Sequence, residues 1–178
     1  MKQLLLLLCI SFSLTSALAQ DKKPPQHIPK IKYAHSFELF QGAYLFVDHI
    51  PYNSVLLKGA RLNFPIQSLV LGIEYGIGST TDNSNNAGTV HHFSLRFSHF
   101  FWKKNNWSLH GFAGGGFLEF KDFTQDQYGL GWYVGLRTSV RLIQSLYGFI
   151  EPRYLNVGAF DFGGQDQFGI SWGLGFSF

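Results

Sequence analysis

Apolar and polar residues alternate along the last part of the chain, with the period of two that is typical of a β-strand. Between Phe168 and Phe178 every second residue is large and apolar, and the intervening residues are glycine or serine. The same division recurs at 128–142, 68–78 and 89–102, where the second face is made mostly of small or charged residues. The pattern therefore predicts strands with one apolar and one polar face.

Turn-rich segments divide the chain after about residue 35 into eight such stretches, and longer and shorter connections alternate between them. This series predicts an all-β fold, an eight-stranded antiparallel up-and-down transmembrane β-barrel, since outer-membrane barrels combine short periplasmic turns with longer outer loops. The predicted strands span 36–48, 54–64, 68–78, 89–102, 107–121, 128–142, 146–157 and 168–178.

The first and fifth predicted strands follow the division less well. Phe40 and Tyr44 fall on the face opposite Leu39, and Phe112 falls on the face opposite Ala113. A bulge, or aromatic side chains packed inside the barrel, would explain either strand.

The polar face indicates which side of the barrel wall meets lipid. All five arginines lie in predicted strands, on a face otherwise rich in glycine and serine. Small residues with scattered charges suit the interior of an eight-stranded barrel, which is only wide enough for side chains. The bulky face, with tryptophans towards the strand ends, suits hydrocarbon bounded by aromatic girdles. A soluble, lipocalin-like barrel with its apolar face inside is the alternative.

Composition agrees with a barrel embedded in lipid. Aromatic residues make up 17% of the chain and charged residues only 14%, whereas a soluble domain carries about 25% charged residues. The net charge of +3 is not gathered into a patch on the strands. The expected surroundings are therefore outer-membrane lipid, and no nucleic-acid partner is predicted.

The first residues are typical of a secretory signal peptide. Lys2 precedes an apolar run from Leu4 to about Leu14, and the small-residue site Ala17-Leu18-Ala19 follows it. Cleavage there removes Cys9, the single cysteine of the chain, so neither a disulfide nor a thiolate metal site is expected. The sequence thus predicts a signal peptide at 1–19, a periplasmic lead-in at 20–34 and an outer-membrane β-barrel domain at 35–178.

Two segments carry a family resemblance: YGLGWYVGLRTSVRLIQSLYGFIEPRYLNVG at 128–158 and QFGISWGLGFSF at 167–178. They resemble the final three strands of the porin-like outer-membrane β-barrel domain family, which includes the OmpA-type small barrels. The resemblance implies a location in the cell outer membrane. It also implies that periplasmic chaperones and the outer-membrane assembly machinery handle the chain and read a signal in its last strand. The residues of this assembly signal are Phe168, Ile170, Trp172, Leu174, Phe176 and Phe178.

Ionisable residues on the polar face are predicted to form a salt-bridge network inside the barrel, because an unpaired buried ion is costly. We expect Arg137 to pair with a glutamate such as Glu151 or Glu74. An ion path gated by exchange of these pairs is the alternative interpretation. The predicted network comprises Glu38, Arg61, Glu74, Arg96, Arg137, Arg141, Glu151 and Arg153.

No catalytic site, metal site or cofactor is predicted. The adjacent His91 and His92 point to opposite faces of a strand and cannot chelate together. The penultimate strand resembles that of the outer-membrane lipid A deacylases, but Arg153 and Leu155 occupy the places of their reacting His and Ser. The sequence therefore predicts a small non-enzymatic outer-membrane protein with a structural or surface-interaction role. The alternatives are a channel for ions or small solutes and, less favoured, a lipid A-modifying enzyme.

Overall fold

The computed structural model describes residues 34–46, 52–82, 87–121, 127–157 and 165–178. Within these ranges eight antiparallel strands pair in chain order, and the first also pairs with the last, so that the sheet closes into a barrel. The predicted fold class is confirmed. The strands are β1 (Ser36–Phe46), β2 (Tyr52–Ile66), β3 (Leu69–Asp82), β4 (Ala87–Lys104), β5 (Trp107–Lys121), β6 (Gln127–Arg141), β7 (Leu146–Val157) and β8 (Gln165–Ser177).

No helix that could cross a membrane occurs in these ranges. The predicted signal peptide lies outside the described residues, as does the predicted lead-in up to residue 33.

The two ends of the barrel differ in their connections. Gln67 and Asn105 each open a two-residue turn with a φ of 54°, and a positive φ at this position lets a hairpin reverse tightly. We call this end the turn end and the opposite one the loop end; in outer-membrane barrels the short turns face the periplasm. The strands are joined at the loop end by 47–51, 83–86, 122–126 and 158–164, which lie outside the described residues.

Side chains alternate between the outside and the inside of the barrel wall. Leu136 is 51% exposed, whereas its neighbour Arg137 is 4% exposed. Large apolar side chains are exposed on the outer face of every strand. An apolar surface of this extent does not suit a soluble monomer, but it suits the hydrocarbon around a transmembrane barrel. The predicted orientation of the two faces is confirmed, and the lipocalin-like alternative is excluded.

Interior aromatic rings lie against glycines in the neighbouring strand. Phe112 pairs with Gly135, and a Cβ atom built on that glycine would lie 2.4 Å from Phe112 Cζ. Tyr133 covers its partner Gly114 in the same way, at 2.6 Å from Tyr133 Cζ. The other such pairs are Phe40–Gly59, Tyr44–Gly169, Tyr147–Gly175 and Phe149–Gly173. These glycines leave room for rings that a side chain would displace.

This packing explains the two strands that follow the predicted division less well. Phe40 and Tyr44 of β1 and Phe112 of β5 are buried in the barrel, and β1 keeps a continuous register with both neighbours. Interior aromatic packing therefore accounts for both strands. The register shift near β5 lies between Phe100 and Trp102 on the opposing β4.

An apolar cluster extends from the middle of the interior to the loop end. Most of its members come from the loop-end halves of their strands, so their side chains meet across the barrel. We call this cluster the apolar plug. It consists of Tyr44, Val55, Leu57, Val90, Phe112, Leu118, Phe120, Tyr133, Leu155 and Val157. The ionisable side chains lie on the turn-end side of the apolar plug. Serine and amide groups such as Ser36, Asn63 and Ser98 lie closer still to the turn end.

Candidate functional site

Buried ionisable side chains from six strands meet in the middle of the barrel. Each of them is at most 4% exposed. Because the strands alternate their faces, each residue is directed inward by its position on its strand. We call this group the charge cluster. It consists of Glu38, Arg61, Glu74, Arg96, Arg137, Glu151 and Arg153.

Arg61 contacts all three glutamates of the charge cluster. Its Nη1 donates to Glu38 Oε2 at 2.5 Å. Its Nε and Nη2 both donate to Glu74 Oε2, at 2.8 and 2.5 Å. Its Nη1 and Nη2 also donate to the two oxygens of Glu151, each at 3.0 Å. One guanidinium on β2 thus joins β1, β3 and β7.

Glu151 in turn accepts from all four arginines of the charge cluster. Besides Arg61, Arg96 Nη1 donates to Oε1 at 2.9 Å and Arg153 Nη2 donates to Oε2 at 2.8 Å. Arg137 Nη1 reaches Oε1 at 3.2 Å. Arg137 therefore pairs with Glu151, one of the two partners expected for it.

The other contacts complete the network. Arg137 Nη2 donates to Glu38 Oε1 at 2.7 Å, and the Tyr147 hydroxyl donates to the same oxygen at 2.6 Å. Arg153 Nη1 donates to Glu74 Oε1 at 2.9 Å. All three carboxylates are thus bound by several charged donors, which stabilises ions held away from water.

Comparison with known proteins gives matches in structure alone. The sequence matches no protein-family model and no curated protein. Neisserial surface protein A superimposes with a TM-score of 0.65 at 12% identity, over 81% of this chain and 97% of that one. The N-terminal β-barrel domain of Pseudomonas aeruginosa OprF gives 0.51 at 13% identity, over 79% and 97%. OprG of Pseudomonas aeruginosa gives 0.52 at 11% identity, over 83% and 97%.

The protein has the fold of the small outer-membrane β-barrels. Its apolar exterior agrees with that fold, because only a closed barrel or a helix satisfies its backbone hydrogen bonds in hydrocarbon. The predicted location in the cell outer membrane agrees with this fold.

Arg141 is the one residue of the predicted network that does not join the charge cluster. It shares the inward parity of Arg137 on β6, but it is the last residue of that strand and its side chain is exposed at the turn end. At that end water can solvate the guanidinium, so the side chain needs no buried carboxylate as its partner. The prediction for Arg141 is wrong because strand parity defines a face and not a depth.

Contacts between interior aromatic rings and the arginines are a feature that the sequence did not predict. The Cζ of Arg137 lies 4.1 Å from the Phe149 ring centroid, and that of Arg96 lies 4.6 Å from the Phe112 centroid. Such cation–π contacts stabilise a desolvated guanidinium. The sequence contained a signal for them in the inward parity of Phe40, Tyr44 and Phe112.

His92 lies inside the barrel, although the predicted network does not include it. It is 2% exposed, and its Nδ1 lies 3.5 Å from Glu74 Oε1. Its ring meets Tyr133 edge-on, with 6.3 Å between centroids. His92 therefore lies between the charge cluster and the apolar plug. No three His, Cys, Asp or Glu side chains within the described ranges are placed to bind a metal.

Proposed function

We propose that this protein is a non-enzymatic outer-membrane barrel that acts through its surface, in a structural or surface-interaction role. The observation that carries the proposal is that the barrel interior is filled. A protein whose interior is closed has only its lipid-facing exterior and its two ends available for interactions. The loop end, which outer-membrane barrels direct outward, is the end that would meet other molecules.

Two barriers lie in series along the barrel axis. The charge cluster occupies the middle, where Arg61 and Glu151 are 1% and 0% exposed. The apolar plug closes the loop-end half, where Phe120 and Val157 are each 1% exposed. A hydrated ion would have to separate the ion pairs and also cross the plug. These barriers favour a closed barrel over the alternative of an ion or solute channel.

The lipid A-modifying alternative has less support. Arg153 and Leu155, which occupy the places of the deacylase His and Ser, are 2% and 4% exposed and face the interior. Arg153 is held there by Glu74 and Glu151. Neither side chain can supply the activated hydroxyl that acyl transfer requires.

Conductance of the refolded full chain in planar bilayers tests the closed interior. We expect no unitary current steps at protein levels where a refolded general porin, used as the positive control, gives steady channels. Steps that scale with the amount of protein, and whose ion selectivity changes in Arg153→Gln, would support the channel alternative instead.

The mass of lipid A tests the enzyme alternative. We expect lipid A from cells that express the protein to keep its mass, and a lost or added acyl chain would indicate the enzyme.

Replacement of the loop-end connections separates a structural from a surface-interaction role. Cells that lack the protein would be complemented with the full chain, or with a chain in which 47–51, 83–86, 122–126 and 158–164 are each replaced by a short turn. A structural role predicts that both chains restore resistance of the envelope to detergent. A surface-interaction role predicts that only the full chain restores the phenotype, at equal amounts of folded protein.

A further inference from the structure

Two polar side chains interrupt the apolar outer face of the barrel. Lys58 on β2 is exposed on this face, and its partner in the register is Gln41 on β1. Leu56 precedes Lys58 on the outer face, and Leu39 and Leu45 lie along β1 on either side of Gln41. All three leucines are more than half exposed. Lys58 and Gln41 therefore form a polar pair among apolar side chains, on a face that meets lipid.

The depth of Lys58 places it inside the membrane, on the side of the outer leaflet. The apolar outer face of β2 begins beside the turn end with Ile66, the last residue of the strand. Strands of such barrels rise about 3.3 Å per residue and tilt by about 40°, so the stretch from Ile66 to Lys58 rises roughly 20 Å along the barrel axis. The apolar band of an outer-membrane barrel is about 25 Å tall. Lys58 thus lies within the band, near its loop-end border.

The Lys58 ammonium group has no anionic partner within the described part of the chain. A charge on the lipid face is costly, and a lysine lowers this cost by extending its ammonium group to the membrane interface. The anionic groups found at that level are lipid phosphates. Gln41 extends from the paired position of the next strand, so its amide can donate a hydrogen bond to the phosphate that Lys58 contacts.

A second copy of the chain is a poorer partner for this lysine. The outer face has two carboxylates among the residues whose side chains are described, Glu119 and Asp166. Glu119 is paired with Lys121 at 3.1 Å. Asp166 accepts a hydrogen bond from the Tyr154 hydroxyl and another from Asn156 Nδ2 at 2.7 Å. Both carboxylates are thus already bound within their own chain, whereas lipid phosphates surround the barrel.

We propose that Lys58 and Gln41 form a binding site for a phosphate group of lipid A in the outer leaflet. Lys58 supplies the opposite charge and Gln41 a hydrogen bond. Lipid A carries its phosphates on sugar units directly above its acyl chains, so the chains of the bound lipid would cover the leucines beside the site. The site lies on the outside of the barrel wall and does not depend on the role proposed for the loop end.

Stability in vesicles of different composition tests the site. The full chain would be unfolded and refolded by urea in phosphatidylcholine vesicles, without addition or with lipid A or dephosphorylated lipid A. We expect lipid A to raise the folding equilibrium constant at least about fivefold, which is what one lysine contributes near an anionic lipid surface. Dephosphorylated lipid A, or inorganic phosphate in the buffer, should leave it unchanged. An equal rise with either of these would overturn the proposal.

Substitutions of Lys58 separate this site from a general attraction of lipid A for basic side chains. Lys58→Met keeps a long side chain without its charge. The variant should be at least as stable as the original chain in phosphatidylcholine and should lose the fivefold gain in lipid A. Lys58→Arg should keep the gain. If Lys58→Met responds to lipid A as the original chain does, the proposal is wrong.

Two further variants complete the test. Lys121→Met is the matched control, because it removes a charge of the outer face that Glu119 already compensates; the gain in lipid A should remain. Gln41→Leu should reduce the gain and leave the stability in phosphatidylcholine unchanged. A gain that disappears equally in Lys121→Met, or that is unaffected by Gln41→Leu, would contradict a site made of Lys58 and Gln41.

Discussion

Arg61 and Glu151 form a bidentate, end-on ion pair across the barrel, in which Nη1 lies 3.0 Å from Oε1 and Nη2 lies 3.0 Å from Oε2. The pair joins β2 to β7, two strands that are not neighbours in the sheet. Arg61 also contacts the other two glutamates of the charge cluster, and Glu151 the other three arginines. These two residues therefore connect every member of the cluster.

Loss of the Glu151 charge should be strongly destabilising. Glu151→Gln leaves four buried arginines with two glutamates, and removing one partner of a buried ion pair typically costs about 3 to 5 kcal/mol. The free energy of unfolding in vesicles is the measurement. Glu119→Gln is the control, because Glu119 pairs with the partly exposed Lys121 and such pairs contribute about 0 to 1 kcal/mol. Equal losses in the two variants would contradict a central role for Glu151.

Removal of Arg96 should be the mildest of the arginine substitutions. Among the described residues Arg96 makes one ion pair, with Glu151, whereas Arg61 makes three. Arg96→Met balances the buried charge and keeps apolar contact with Phe112, so we expect a loss below about 1 kcal/mol or a gain. Arg61→Met should lose about 3 to 5 kcal/mol, since it leaves carboxylates unpaired. The charge cluster has four arginines and three glutamates. An Arg96→Met variant as unstable as Arg61→Met would show that the fourth arginine has no energetic cost.

The strands could be predicted from sequence because their period of two is local. β5 and β7 have the predicted bounds, Trp107–Lys121 and Leu146–Val157. The inward parity of Arg61, Glu151 and their neighbours is also a local property of each strand.

The pairing of the interior side chains could not be predicted in the same way. The Glu38–Arg137 contact joins residues 99 positions apart, and its existence depends on the tilt and stagger with which the sheet closes. The exposure of Arg141 depends on how close the residue lies to the turn end of the barrel. Its parity on the strand gives no information about that depth. Each interior ring packs against a glycine of the neighbouring strand. The sequence of one strand does not show that glycine, so Phe40, Tyr44 and Phe112 looked like exceptions to the alternation.

The aromatic–glycine pairs predict which interior glycines resist substitution. Gly135→Ala would place a Cβ atom 2.4 Å from Phe112 Cζ and 2.6 Å from the Pro152 carbonyl oxygen. Such overpacking should cost about 1 to 3 kcal/mol. Gly76→Ala is the control, because its Cβ would have no neighbour closer than 3.6 Å. Thermal or urea unfolding of the two variants measures the difference, and equal tolerance would show that the ring does not need the glycine.

The last strand should matter for assembly beyond its contact with lipid. All six residues of the predicted assembly signal face outward, with Phe176 51% exposed. If the assembly machinery reads this strand, Phe176→Ser should accumulate in the periplasm or be degraded. Leu62→Ser on β2 is the control, since Leu62 is 43% exposed and loses a similar lipid contact outside the signal. Fractionation and heat-modifiable gel mobility measure the folded fraction; equal effects of both substitutions would leave lipid contact as the sole role of Phe176.

Depth in the membrane should determine the cost of a charge on the outer face. Leu136 lies near the middle of β6 and is 51% exposed, whereas Leu142 lies just beyond the turn end of that strand and is 53% exposed. Arginine at the bilayer midplane costs roughly 2 to 4 kcal/mol, and near the interface about 0 to 1 kcal/mol. Leu136→Arg should therefore lose much more stability in vesicles than Leu142→Arg, although the two leucines are equally accessible. If the barrel stood in water, both arginines would be solvated alike and the two variants would unfold at the same urea concentration. A difference that disappears in short-chain micelles but persists in vesicles would assign the cost to hydrocarbon rather than to packing.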